Sequence, residues 1–161
     1  MSLSLYPKGT PNICSGNYVS KITLDNSVEA CAFSSSQYVK DAIENNERNL
    51  NKKGLSLKKK DTALISANCC PEIDGTTKLN DNDASYYQSL ICILRWIVEL
   101  GRMDICYEFS ILASHMVLPC IGHMERVLHI FSYLRPHHNT VILFDPSEPE
   151  FDMDVTFPRE D

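Results

Sequence analysis

Two absences limit what this chain can be. No apolar run comes near the length of a membrane-spanning helix, because Arg95, Glu99, Arg102 and Asp104 interrupt the longest one. Residues 1–10 have neither the basic start nor the apolar stretch of a secretory signal. We therefore expect a chain with no secretory signal, no spanning helix and no membrane partner.

The usual motifs of phosphate-binding and zinc-binding sites are also missing. The sequence contains no G-x-x-x-x-G-K or G-x-G-x-x-G loop, and no two cysteines have the spacing of about two to four residues that structural zinc sites use. The nearest arrangement is Cys106, His115, Cys120 and His123, which fits buried thiols and surface histidines better than a metal site. No nucleophile motif surrounds Cys120. We predict no metal ligands and no catalytic residues.

The seven cysteines are an odd number. Without a secretory signal, this favours a reducing intracellular compartment, cytoplasm or nucleus, over a disulfide framework. Cys92 and Cys106 lie among apolar residues, and we expect them to act as small buried hydrophobes.

Charge is distributed unevenly along the chain. The formal net charge is −6, and residues 145–161, with seven acids and one base, account for all of it. The remaining residues hold 14 bases and 14 acids, yet residues 48–60 carry six bases and no acid. A neutral body is thus combined with one basic stretch and an acidic tail.

Hydrophobic periodicity predicts a mostly helical α+β fold. Residues 18–33 alternate as a β-hairpin, and a helix follows with an S-x-x-Q capping pattern at 34–37 and a stop at Gly54. Residues 83–135 have the spacing of three amphipathic helices, with a second capping pattern at 85–88, and 141–144 is a candidate strand. The predicted order is a hairpin at 1–33, a basic helix at 34–60, a linker between subdomains at 61–82, a helical region at 83–146 and an acidic disordered tail at 147–161.

The basic stretch has two interpretations. Its positive charges follow an amphipathic helix, where they could contact several phosphates and give salt-dependent binding without sequence specificity. Alternatively, they form a solvated helix end, where lysines complement the helix dipole. The residue types alone leave both interpretations open.

Several longer motifs occur in a fixed order. Residues 86–96 read Y-Y-Q-S-L-I-C-I-L-R-W, and residues 101–105 read G-R-M-D-I. They resemble the Y-x-S-L-x-G-x-L and T/G-R-x-D-I motifs of copia-type LTR retrotransposon polyproteins. Residues 110–135 follow that family's S-x-L-S-x-(F/H)-M-x-x-P-x-x-x-H…I-x-x-Y-L-K pattern, and residues 33–40 resemble its L-S-Q-x-K-Y-I segment. The matches extend from about residue 16 to residue 146.

The resemblance implies a segment between the polymerase palm and the ribonuclease H domain of a reverse transcriptase. Residues 16–33 would be strands leaving the palm, 34–60 the thumb and 83–135 the helical connection region. A thumb helix grips the primer–template backbone, so the resemblance favours the nucleic-acid interpretation. The residues it marks for RNA or DNA contact are Gln37, Lys40, Lys52 and Lys53, and the basic stretch adds Lys58, Lys59 and Lys60.

The catalytic groups of that family do not occur in the sequence. The Y-V-D-D turn and its upstream aspartate are missing, and the ribonuclease H acids would lie beyond Asp161. The Mg²⁺ that the parent enzyme would use therefore has no ligands here. We expect Asp104, Glu108 and Glu125 to cap helices or pair with arginines.

The resemblance as a whole implies a non-catalytic thumb–connection fragment that supports primer–template binding. The palm and ribonuclease H domains would be its partners in the parent polyprotein. The alternatives are a helical protein–protein interaction module and a non-functional retroelement remnant.

Overall fold

The computed structural model describes residues 13–14, 17–25, 27–57 and 74–146. Within these ranges the chain forms four strands and four α-helices, which confirms the predicted mostly helical α+β class. The strands are β1 (Ile13–Cys14), β2 (Asn17–Thr23), β3 (Glu29–Ser34) and β4 (Val141–Phe144). The helices are α1 (Ser36–Lys52), α2 (Asp81–Glu99), α3 (Cys106–Ser114) and α4 (Ile121–Leu134), with a short 3-10 helix, Met103–Ile105, before α3. No helix in this part of the chain has the length and apolar character needed to cross a bilayer.

The strands form one antiparallel sheet in the order β1-β2-β3-β4. β2 and β3 pair as the predicted hairpin, with Ser20 opposite Ala32, and the Leu24 N–H donates to the Val28 carbonyl at 2.9 Å across the turn. The predicted strand β4 pairs with the other edge of β3, where Leu143 lies opposite Ala32. The hairpin therefore gains a third full strand from a distant part of the chain, the support that an isolated hairpin needs.

The starts of α1 and α2 differ from their predictions. Ser35 is the N-cap of α1 and makes no side-chain capping bond, so the S-x-x-Q cap predicted at 34–37 is wrong. α2 begins at Asp81, where the Asn80 side chain accepts a 2.9 Å hydrogen bond from the Asp83 N–H. Acids in the first turn of α2 add a favourable interaction with the helix dipole. The cap predicted at 85–88 is therefore wrong, because Asn80 starts the helix earlier and leaves Ser85 inside it.

One hydrophobic core joins the regions on both sides of the predicted linker. α1 contributes its apolar stripe, and the three later helices contribute theirs. Among the members of this core are Val39, Ile43 and Leu50 from α1, Tyr87, Leu90 and Leu94 from α2, Leu112 from α3, and Val127 and Phe131 from α4. The two predicted subdomains therefore share one core and do not bury their apolar faces separately.

The end of the predicted linker is held against the turn between α3 and α4. The Leu79 N–H donates to the Pro119 carbonyl at 3.0 Å, and the Ile121 N–H donates to the Thr77 carbonyl at 3.0 Å. The rest of that linker and the predicted acidic tail, at 61–73 and 147–161, lie outside the described residues.

The expectation that Cys92 acts as a small buried hydrophobe is wrong. Cys92 lies on the exposed side of α2 and is not a buried hydrophobe. Its neighbours Ile91 and Leu94 occupy the buried side of the helix, and the 3.6-residue period turns Cys92 away from them.

Candidate nucleic-acid interface

α1 holds three of the seven residues predicted to contact nucleic acid. Its buried side chains recur at helical spacing and fix one face of the helix on the core. The opposite face points to solvent and carries Gln37, Lys40 and Lys52, while Lys53 is the C-cap residue. The remaining predicted residues, Lys58, Lys59 and Lys60, lie outside the described part of the chain.

The exposed face of α1 is not a continuous basic surface. The helix carries three bases, Lys40, Arg48 and Lys52, and three acids, Asp41, Glu44 and Glu47. The Gln37 amide donates to Asp41 at 2.8 Å, and Arg48 pairs with Glu44 at 3.4 Å. The excess of positive charge therefore begins at the C-terminal end of α1, with Lys52 and Lys53.

Lys53 already has partners within the fold. Its Nζ lies 2.5 Å from Asp83 Oδ1 and 4.9 Å from the centre of the Tyr86 ring. The hydrogen bond from Lys53 is the largest cause that lowers the pKa of the Asp83 carboxyl below its ordinary value. Lys53 thus joins the end of α1 to the start of α2, and a phosphate would have to compete with Asp83 for it.

A cavity of about 380 Å³ lies beside this ion pair. It is lined mainly by apolar side chains from the end of α1, the start of α2 and the start of α4, with Lys53, Asp83 and Glu125 as its charged members. Lys53 therefore belongs to a three-helix junction as well as to the basic end of α1.

Cys120 and His123 have a structural role at the start of α4. The Cys120 thiol accepts from the His123 N–H, and His123 Nδ1 accepts from the Cys120 N–H at 3.0 Å, which forms a capping box. The His115 ring stacks on the His123 ring with 4.2 Å between centroids. The described residues contain no group of three or more His, Cys, Asp or Glu side chains placed to hold a metal ion.

The buried Arg102 of the G-R-M-D-I motif forms a junction with the partly exposed Asp104 that the sequence only partly predicts. Arg102 is 1% exposed, and its guanidinium donates to both oxygens of Asp104, at 2.9 and 2.6 Å. It also donates to the His137 carbonyl at 2.7 Å. The expected pairing of Asp104 with an arginine is confirmed. The link to His137 was missed, because no local signal connects residues 35 positions apart.

Burial raises the pKa of the Asp104 carboxyl, but the hydrogen bonds and charge of Arg102 outweigh it, and the net shift is downward. Tyr133 donates a further hydrogen bond to Asp104 at 3.3 Å. The motif therefore ties the end of α2 to the segment between α4 and β4, and its role here is structural.

The comparisons with known proteins add no relative. A scan against protein-family models, a search of curated proteins and a search of solved structures each found no match. The resemblance to the copia-type family therefore remains a prediction from the motifs.

Proposed function

We propose that the chain is the thumb and connection region of a copia-type retrotransposon reverse transcriptase. In this role it supports primer–template binding in the parent RNA-directed DNA polymerase and has no catalytic activity of its own. The observation that carries the proposal is the way α1 packs on the core. Its apolar face is fixed on a core shared with the helical region, while Gln37 and Lys40 near its start and Lys52 at its end face solvent.

The binding would be electrostatic and independent of base sequence. Lysines that contact backbone phosphates release counterions from the duplex, so affinity falls steeply as salt rises. Polymerisation and strand hydrolysis would need the carboxylates and Mg²⁺ of the palm and ribonuclease H domains. Cys92, Cys106 and Cys120 form no disulfide in the part of the chain that the structure describes, and we propose an intracellular, reducing location as part of this function.

The test is binding of the full chain to a labelled RNA–DNA primer–template duplex, followed by fluorescence anisotropy between about 50 and 200 mM salt. Changing Lys52, Lys53, Lys58, Lys59 and Lys60 together to Ala is expected to abolish binding. Unchanged binding would overturn the proposal.

A matched pair of variants separates a local site from a general charge effect. One variant replaces Lys52, Lys58 and Lys59 with Ala, and the other replaces the dispersed residues Lys21, Lys78 and Arg95. Both remove three positive charges, so a site on the basic stretch requires a much larger loss in the first variant. Equal losses would indicate non-specific attraction.

A second candidate function, a protein–protein interaction module, is favoured by exposed apolar side chains on the helical region. Met103 and Tyr107 are 73% and 67% exposed, and Val117 and Leu118 in the turn after α3 are 85% and 61% exposed. A contiguous exposed apolar patch is typical of an interaction surface, and these two pairs of residues are candidates for one. Concentration-dependent association that is insensitive to salt would support this candidate. If the chain shows no association and no duplex binding, that result would support a non-functional remnant.

A further inference from the structure

The cavity beside the Lys53–Asp83 ion pair lies where the end of α1, the start of α2 and the start of α4 meet. Its volume of about 380 Å³ falls in the range of about 300–1,000 Å³ that is typical of ligand sites. The residues of α4 that line it, at positions 121, 124, 125 and 128, have the spacing of one helix face. We call this space the junction cavity.

The lining of the junction cavity is apolar toward the core and charged toward solvent. Leu50 is buried, and four further side chains of the lining pack against the core, namely Leu79, Tyr86, Met124 and Leu128. Lys53 and Glu125 are exposed, together with the apolar Leu55 and Ile121. A largely apolar pocket with a few polar groups on one side suits a ligand that has an apolar body and a polar head.

The charges of the lining determine which head group suits the cavity. Lys53 Nζ lies 2.5 Å from Asp83 Oδ1 and 4.9 Å from the centre of the Tyr86 ring, so Lys53 and Asp83 already compensate each other. Glu125 has no ion pair among the residues that the structure describes. One base against two acids gives the lining a formal charge of −1, and Glu125 is the uncompensated group. The complementary head group is therefore a cation.

We propose that the junction cavity binds a small amphipathic amine, whose alkyl or aryl body enters the cavity and whose ammonium group pairs with Glu125. Removing the apolar body from water against the apolar lining supplies most of the affinity. A carboxylate ligand would face the uncompensated Glu125 and would have to compete with Asp83 for Lys53. This proposal goes beyond the proposed function and does not depend on it, because the amine contacts no nucleic acid.

The sign of the head group is tested with three ligands that share one apolar body, octylamine, 1-octanol and octanoate. Each is titrated into the full chain and followed by isothermal titration calorimetry. We expect octylamine to bind up to about fivefold more tightly than 1-octanol, which is the contribution of an exposed ion pair. Octanoate should bind most weakly. An amine that binds no more tightly than the alcohol or the carboxylate would overturn the proposal.

The role of Glu125 is tested with Glu125→Gln, which keeps the shape of the side chain and removes its charge. This variant should bind octylamine and 1-octanol equally, with the affinity for 1-octanol unchanged because the apolar lining is intact. Glu99→Gln is the matched control, because Glu99 is an exposed acid sixteen residues after Asp83 on α2, about 24 Å away at 1.5 Å per residue. It should keep the preference for the amine. A preference that survives in Glu125→Gln would overturn the pairing.

The location of the ligand is tested with a second matched pair, Ile121→Trp and Val117→Trp. Both residues are exposed, but of the two only Ile121 lines the cavity. The larger side chain at 121 should fill the cavity and abolish octylamine binding, whereas Val117→Trp should bind as the wild type does. Undiminished binding in Ile121→Trp, or an equal loss in both variants, would overturn the location.

The wild-type chain offers a measurement that needs no substitution. Butylamine, hexylamine and octylamine carry the same head group on bodies of increasing length. Affinity should rise by up to about fourfold for each methylene group that enters the cavity. An affinity that does not depend on chain length would show that the ammonium group binds alone, and it would overturn the proposal.

Discussion

The ends of α1 and α2 use one termination motif in two different settings. Each helix is followed by a glycine with positive φ, +70° at Gly54 and +103° at Gly101. In both, the amide after the glycine donates to a carbonyl five residues earlier, at 2.9 and 3.2 Å respectively, which is the Schellman pattern. Glycine is suited to both positions because a left-handed conformation strains other residues.

The surroundings of the two glycines differ completely. A Cβ added at Gly54 would meet nothing within 4 Å among the described residues, whereas a Cβ at Gly101 would overlap the Ile142 side chain of β4. The residue after Gly54, Leu55, is 55% exposed, and the residue after Gly101, Arg102, is 1% exposed. The local motif therefore determines where a helix ends. The tertiary contacts determine whether that end is exposed, as at Gly54, or forms a buried junction, as at Gly101.

The sharpest test of this contrast is removal of the charge at the buried junction. Arg102→Met would remove the guanidinium hydrogen bonds to the Asp104 carboxylate and the His137 carbonyl. We expect the free energy of unfolding to fall by about 3 kcal/mol, because the buried guanidinium makes three hydrogen bonds and those that involve charged groups are worth about 1.5–3 kcal/mol each. Urea denaturation measures this, with Arg95→Met as an exposed control expected within about 0.5 kcal/mol of wild type. A similar effect of both substitutions would refute the junction role.

The same substitution at both glycines gives a second test. Gly101→Ala combines left-handed strain with an overlap on Ile142, and we expect a loss of about 2–3 kcal/mol. Gly54→Ala has the strain alone and should cost about 1 kcal/mol. Thermal unfolding of the two variants checks the difference, and equal losses would show that β4 does not press on Gly101.

Acid unfolding should also depend on the buried junction. The folded state lowers the pKa of the Asp104 carboxyl, so its contribution is fully present above the unfolded pKa and is lost as pH falls toward the folded pKa. Urea midpoints measured from about pH 6 down to pH 3 should therefore fall more in the wild-type chain than in Asp104→Asn. Parallel curves for the two chains would contradict this expectation.

The smallest effect on stability is expected at the exposed end of α1. Lys53→Gln breaks an ion pair whose side chains are 45% and 35% exposed, so the loss of stability should stay below about 1 kcal/mol. The loss should shrink further at high salt, which screens exposed pairs. A loss as large as that of Arg102→Met would mean that the two ends are equally important for the fold.

The sequence is informative where its signals are local. The alternation in 18–33 predicts the hairpin, and the spacing of apolar residues in 83–135 predicts three helices. Glycine marks the ends of α1 and α2 because the requirement for positive φ is confined to one residue. These features need no knowledge of distant parts of the chain.

The candidate site is less predictable because its partners are distant in sequence. Lys53 meets Asp83 thirty residues later, and Arg135 meets Glu47 on another helix. A count of bases in 48–60 cannot show that Arg48 and Lys53 are paired, nor that the acids of α1 balance its bases. The burial of Arg102 is equally hard to predict, since arginine is rarely buried. The one local signal for its ion pair is Asp104, two positions later.

The position of β4 has a consequence for synthesis of the chain. Ala32 and Leu143 face each other in the sheet but are 111 positions apart. At about 5–20 residues per second, the hairpin would leave the ribosome roughly 5–20 s before its third strand. During that interval the outer edge of β3 has no β4 to pair with, and closing so long a loop is slow. The N-terminal hairpin is thus synthesised early, whereas its sheet is completed only after β4 has been made.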